Sequence, residues 1–163
     1  MAGIKSLNFW QFFELAKVLI LKPLFIFPTY KATRETVKIC NSHFGKKHHK
    51  NNSTNAFRHA LWNFLICVKC YKASNSVEKA SNWAEKITSL HEVLSPNSEL
   101  AKIMDLHNNR IGRELFEKNT SNRISIITVL KEMMENAVQV CSVEEIETVQ
   151  NRLVFIEKLE TQL

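Results

Sequence analysis

The feature that most restricts the fold of this chain is a stretch near its centre, residues 56–68, that is apolar in almost every direction around a helical axis. Ala56, Phe57, Ala60, Leu61, Trp62, Phe64, Leu65, Ile66, Cys67 and Val68 cover nearly the whole circumference. A helix of that kind belongs in the middle of a protein, with other elements wrapped around it. The exception is narrow: Asn55, His59 and Asn63 recur at intervals of four and stack as one polar stripe, with Arg58 adjoining. Buried polar groups cost about 1–3 kcal/mol each when left unpaired, so other polar residues must face this stripe.

Helical periodicity recurs along the rest of the chain, and no two-residue alternation runs long enough to suggest a sheet. Only 3 Gly and 3 Pro occur among 163 residues, with 45% hydrophobic residues, which excludes wholesale disorder and disfavours a turn-rich β-sandwich. The sequence therefore predicts an all-α protein, a compact antiparallel bundle of about six to seven helices in a single domain spanning 1–163. Predicted helices cover about 7–21, 30–44, 55–73, 76–94, 98–118, 122–140 and 143–159. Pro23 is expected to end the first, and Pro28 to close a short apolar turn. Gly45 stops the second, and the polar run 46–54 reads as a loop that exposes His48 and His49. Ser76, Ser98 and Ser142 are natural caps, the last followed by Glu144 and Glu145 in the first helical turn.

The net charge of +6 is concentrated in residues 31–58. Lys31, Arg34, Lys38, Lys46, Lys47, Lys50 and Arg58 stand there against one acid, Glu35. Such a block suits an anionic small molecule or a lipid surface, or it is simply a solvated basic segment. Nucleic acid is a poorer match, because no helix-turn-helix, zinc-finger or aromatic RNA-binding signature accompanies the bases. Cys40, Cys67, Cys70 and Cys141 are too scattered for a disulfide framework and read as reduced, mostly buried thiols. Charges and Pro23 interrupt the apolar run of 9–27, which argues against a spanning helix or a signal peptide and favours a cytoplasmic chain. An amphipathic segment peripheral to a membrane is the alternative use of that run.

Two segments offer partners for the polar stripe. In the fourth helix, taking Trp83, Ile87, Leu90 and Leu94 as the buried face puts His91 at its edge and Glu92 about 180° from Trp83, so His91 is the better inward candidate. In the fifth, His107 shares a side with Leu100, Ile103 and Ile111, whereas Asp105, Asn109 and Gly112 share another. Asp105 is the only aspartate among 16 acids and sits in the densest polar cluster of the chain. His59, His91 and His107, with Asp105 or Glu92, form a plausible N/O set for a divalent metal ion such as Zn, Fe, Ni or Mn.

These segments carry a resemblance. The series Asn55-Ala56-Phe57-Arg58-His59-Ala60-Leu61-Trp62, then His91-Glu92, then Met104-Asp105-Leu106-His107-Asn108-Asn109 with Gly112-Arg113 resembles a bacterial family of unknown function marked by NAxRHAxW, HE and MDLHNNxxGR. The likeness covers about residues 55–116 and groups the three segments without implying an activity.

Two functions follow as expectations. One is a metal-dependent hydrolase of a phosphoester, on a lipid head group or a nucleotide. There His59, His91, His107 and Asp105 hold the ion, Glu92 or Asp105 accepts the proton of water, and Arg58 and Arg113 bind phosphoryl oxygens. Asn55, Asn63, Asn108 and Asn109 then support the ligands. The other is a non-catalytic binding module in which the same residues form a structural network and the basic segment docks an anionic partner.

Overall fold

A computed structural model describes residues 22–119 and 125–156. The predicted first helix at 7–21 lies outside the described residues. Pro23 begins the first described helix, α1 (Pro23–Phe44), at a position where its missing N–H costs nothing. The chain does not turn at Pro28, as the two prolines had suggested; the helix runs through it. Pro28 sits close to the helix start and removes only the bond to the carbonyl of Leu24, an exposed residue. Tertiary contacts hold this first part in place: Phe25 packs on Trp83 with ring centroids 5.4 Å apart. The Trp83 indole N–H donates to Thr29 Oγ1 at 2.8 Å, and that hydroxyl donates to the Phe25 carbonyl at 2.7 Å. The helix stops at Gly45, whose φ of 57° is a conformation that glycine adopts without steric cost.

A 3₁₀ turn, Lys47–His49, follows. It folds His48 inward, fully buried, with Nε2 2.8 Å from Asn41 Oδ1, which corrects the expectation of a solvent-exposed side chain. Helix α2 (Ser53–Ser74) starts where the Asn52 side chain accepts from the Asn55 N–H, and ends at Asn75 in the left-handed conformation. Helices α3 (Val77–Leu94) and α4 (Glu99–Lys118) begin at the expected serines, with Ser76 accepting from Lys79 N–H and Ser98 from Ala101 N–H. After α5 (Ile126–Glu135), α2 is seen to be central: it packs against α1, α3, α4 and α5. The described chain is thus an all-α bundle, as its periodicity requires.

The C-terminal part departs from two long helices. Strand β1 (Val138–Gln139), the short helix α6 (Val143–Thr148) and strand β2 (Val154–Phe155) follow α5, and the strands pair in parallel with Val138 opposite Val154. Asn151 takes a left-handed φ of 56° in the bend that precedes β2. The Asn108 side chain then holds both polar groups of the Val154 backbone, donating to its carbonyl at 2.9 Å and accepting from its N–H at 3.0 Å. Met104, Val140, Ile146 and Val154 form a small apolar cluster beneath this segment. Local helical propensity yields here to β-branched residues that find a partner only in three dimensions.

Candidate functional site

The crossing of α2 and α4 sets the geometry of the polar region. A Cβ on Gly112 would land on the Ala60 carbonyl oxygen and lie 2.9 Å from the Ala60 Cα, so only glycine lets the two backbones come this close. Asp105 and Asn109, on the same side of α4 as Gly112, are thereby brought to the α2 stripe. Each of three helices supplies a pair of polar residues four apart: His59 and Asn63 from α2, Thr88 and Glu92 from α3, Asp105 and Asn109 from α4. None of the six is more than 3% exposed, so each must find its partners within the protein.

Asn109 and Asn63 together join the three helices. Asn109 Oδ1 accepts from Asn63 Nδ2 at 2.6 Å and from His59 Nδ1 at 3.1 Å. An amide oxygen only accepts, so this contact puts the imidazole proton on Nδ1 and leaves a lone pair on Nε2. Arg58 Nη2 donates to that lone pair at 2.9 Å and to Asn55 Oδ1 at 2.7 Å. Burial, reinforced by the Arg58 charge, holds the His59 pKa well below the ordinary histidine value, in keeping with a neutral ring. Asn63 Oδ1 in turn accepts from Thr88 Oγ1 at 3.2 Å and Arg113 Nη1 at 3.3 Å.

Two carboxyl groups flank the imidazole. Asp105 Oδ1 is 3.3 Å from His59 Nε2 and 3.5 Å from Asn55 Nδ2. Glu92 Oε1 is 3.7 Å from His59 Nδ1, and neither Glu92 oxygen accepts a hydrogen bond; the Asn109 amide nitrogen likewise lacks an acceptor. Burial pushes Asp105 up to about 8, helped by the nearby Glu92 charge and opposed by Arg58. Glu92 is pushed up to about 7 by burial, against the pull of Arg58. One half-buried arginine stands beside these two buried acids, and burial favours their protonated forms.

One donor atom from each of His59, Glu92 and Asp105 lies within 4.8 Å of the others, a buried group that could hold a metal ion. Ligands about 2.0–2.2 Å from a tetrahedral ion stand roughly 3.3–3.5 Å apart. The 3.3 Å between His59 Nε2 and Asp105 Oδ1 has that separation. One imidazole with two carboxylates suits a borderline or hard divalent cation rather than a thiophilic one.

The other expected ligands lie elsewhere. His91 is exposed and meets the Trp62 ring edge-on, with centroids 5.2 Å apart, while Glu92 points inward, the reverse of the helical-wheel reading. The small residues mark the true contact face: Ala80, Ala84 and Thr88, all fully buried, form a series with steps of four that continues to Glu92. Trp83 lies at one edge of that face, and choosing it as the centre displaced the reading by a quarter turn. His107 is buried but committed to the C-terminal segment, with Nε2 2.9 Å from the Arg152 carbonyl oxygen. Asn108 is occupied by Val154, as described above. Arg113 braces Asn63 and reaches Glu85 Oε1 at 3.4 Å. Thr88, which sequence reasoning passed over, is part of the network through Asn63.

A family model described as a domain of unknown function, DUF6973, matches residues 16–138. No curated protein and no solved structure matches the chain.

Proposed function

The chain belongs to the DUF6973 family, whose description assigns no chemistry, and from the geometry of the cluster we propose that it is a metal-dependent phosphoester hydrolase, with His59, Glu92 and Asp105 as the ligands of a divalent cation. The observation that carries this reading is Glu92, which is 1% exposed with both carboxylate oxygens lacking a hydrogen bond. Its one ion-pair contact among the described residues, His59 Nδ1 at 3.7 Å, is too long for a hydrogen bond; a buried carboxylate without one is costly, and a cation shared with Asp105 and His59 removes that cost. When bound, such an ion supplies Lewis acidity and a water of lowered pKa.

The remaining roles belong to the protein. Glu92 or Asp105, whichever keeps a carboxylate oxygen free of the ion, accepts the proton of water. Asn109 holds the Nδ1–H tautomer of His59, and Asn63 with Thr88 holds Asn109 in turn. Arg58 leaves the Nε2 lone pair and pairs with phosphoryl oxygens of the substrate. In this reading the substrate is a small anionic phosphoester and the setting is the cytoplasm. Arg113 has no part in it beyond bracing Asn63.

A second reading is favoured by one contact. Arg58 sits 2.9 Å from His59 Nε2 and 2.7 Å from Asn55 Oδ1, so its guanidinium can itself be the cation of a purely structural network. The chain is then a binding module without catalysis. Elemental analysis of protein purified without chelator separates the two. The hydrolase reading expects about one divalent ion per chain, lost in His59→Ala. It also expects turnover of a phosphodiester such as bis(p-nitrophenyl) phosphate that falls at least about 100-fold in Glu92→Gln. Protein free of metal, with a melting temperature indifferent to added Zn, Mn or Mg, overturns it in favour of the network.

A further inference from the structure

Among the described residues seven large apolar side chains are exposed, and five of them, Leu24, Ile26, Phe27, Tyr30 and Val37, belong to α1. Phe25, Ala32, Thr36 and Cys40 take the inner face of that helix. At 100° per residue its outer face centres on Phe27, Tyr30, Arg34 and Lys38, with Lys31 alongside. Apolar groups therefore crowd its N-terminal half and bases its C-terminal half. The two halves are in contact: Lys31 Nζ lies 4.3 Å from the centre of the Phe27 ring, and Arg34 donates to the Tyr30 hydroxyl at 3.3 Å.

The charge of this face has one sign. Glu35 is occupied at the flank of the helix by Lys69, 2.6 Å away, and none of Lys31, Arg34 and Lys38 pairs with an acid among the described residues. Lys46, Lys47 and Lys50, all exposed, continue the basic surface past the end of α1.

We propose that the outer face of α1 docks on an anionic lipid bilayer. Exposed aliphatic and aromatic groups at one end enter the boundary of the acyl chains, and the adjoining bases meet the phosphates and carboxylates of the head groups. No described helix is long and apolar enough to cross a membrane, so the helix lies along the surface. A second copy is a poorer occupant, because a two-fold contact through this face sets the bases of each copy against bases or apolar groups of the other and gives them no acid. A nucleic acid gives no reason for Leu24, Ile26 and Phe27 to be exposed together at one end of α1. This inference is independent of the metal site.

Vesicle co-sedimentation of the full chain tests it, with phosphatidylserine in phosphatidylcholine compared with phosphatidylcholine alone. Binding is expected only to the anionic vesicles and is expected to weaken with added salt. Lys31→Glu with Arg34→Glu and Lys38→Glu should lower the affinity at least about tenfold. Ile26→Ser with Phe27→Ser should lower it by a similar factor while leaving the charge unchanged. All five sites are exposed, and melting temperatures close to the unaltered protein's verify that each variant folds. Absence of binding to anionic vesicles overturns the proposal, as does binding that both variants retain in full. Light scattering that detects a dimer which Phe27→Ser dissociates assigns the face to a second copy and overturns it equally.

Discussion

His59 Nδ1 and Asn109 Oδ1 face each other across the α2–α4 crossing at 3.1 Å, and this contact decides which imidazole nitrogen carries the proton. Asn109→Ala removes the acceptor of two buried donors at once, that of His59 and that of Asn63. Each orphaned donor costs about 1–3 kcal/mol, so the variant should lose about 2–4 kcal/mol in urea denaturation. A change below about 1 kcal/mol would mean that water or another side chain fills the gap.

Gly112→Ala tests the close approach of α4 to α2. The added methyl meets backbone, the Ala60 carbonyl, which no rotamer change relieves. Separating the helices should cost about 3 kcal/mol or prevent folding. Ala60→Gly should not rescue it, because the clash is with an oxygen that the substitution leaves in place. Circular dichroism melts of the single and double variants check both statements.

The raised acids make a prediction about pH. Folded Glu92 and Asp105 titrate near 7 and 8, above their usual values near 4, so between these limits the native state holds more protons than the unfolded one. Stability then falls as pH rises. His59, His91 and His107, shifted down by burial, act oppositely, contributing stability that is lost as pH falls through about 6.5. From pH 6.5 to 8 the loss from the acids outweighs the remaining gain from the histidines, and with chelator present the melting temperature should drop, by the equivalent of about 1–2 kcal/mol. Saturating divalent cation should flatten or reverse the slope, since an ion takes the place of the protons. A melting temperature that rises over this window in chelator contradicts the assigned shifts.

Asn108→Ala should act locally. It deletes both hydrogen bonds to the Val154 backbone, and β2 has few other polar contacts holding it to α4. Hydrogen exchange at residues 138–140 and 153–155 should accelerate by at least about tenfold while amides in the middle of α2 remain protected. Equal acceleration throughout would show that the C-terminal segment and the bundle open together.

The thiols give a simpler test. Burial raises Cys40 to about 11, Cys67 to about 12 and Cys70 to about 11, whereas Cys141 is exposed. A disulfide reagent should titrate one thiol per native chain and four after denaturation. Rapid reaction of two thiols in the native protein would expose the Cys67 and Cys70 pair as reactive.

Much of the architecture was legible because it rests on local rules. A helix apolar all round becomes the centre of a bundle, and Ser76, Ser98 and Ser142 act as caps wherever their own side chains can reach the next turn. The stripe of Asn55, His59 and Asn63 was readable for the same reason, as was the shared side of Asp105, Asn109 and Gly112. What escaped depended on the size of neighbours across an interface. Bulk at Trp83 suggested the wrong buried face, whereas the compactness of Ala80, Ala84 and Thr88 determines where α3 touches α2 and so turns Glu92 rather than His91 inward. Pro28 was misread because its local penalty is offset by the contacts of Phe25 and Thr29 with Trp83. The paired strands and the burial of His48 have long-range causes, in Asn108 and Asn41 respectively, that no window of the chain contains.

The absence of a side chain at Gly112 has a mechanical result. Where backbone rests on backbone there is no compressible layer, so α4 is pinned to α2 at one point and its remaining freedom is to tilt about that fulcrum. Asn109 is about 4.5 Å along the axis from the fulcrum and Asp105 about 10 Å. Any rocking of the helix thus carries the aspartate roughly twice as far as the asparagine, holding the imidazole steady while the acid beside it swings in or out.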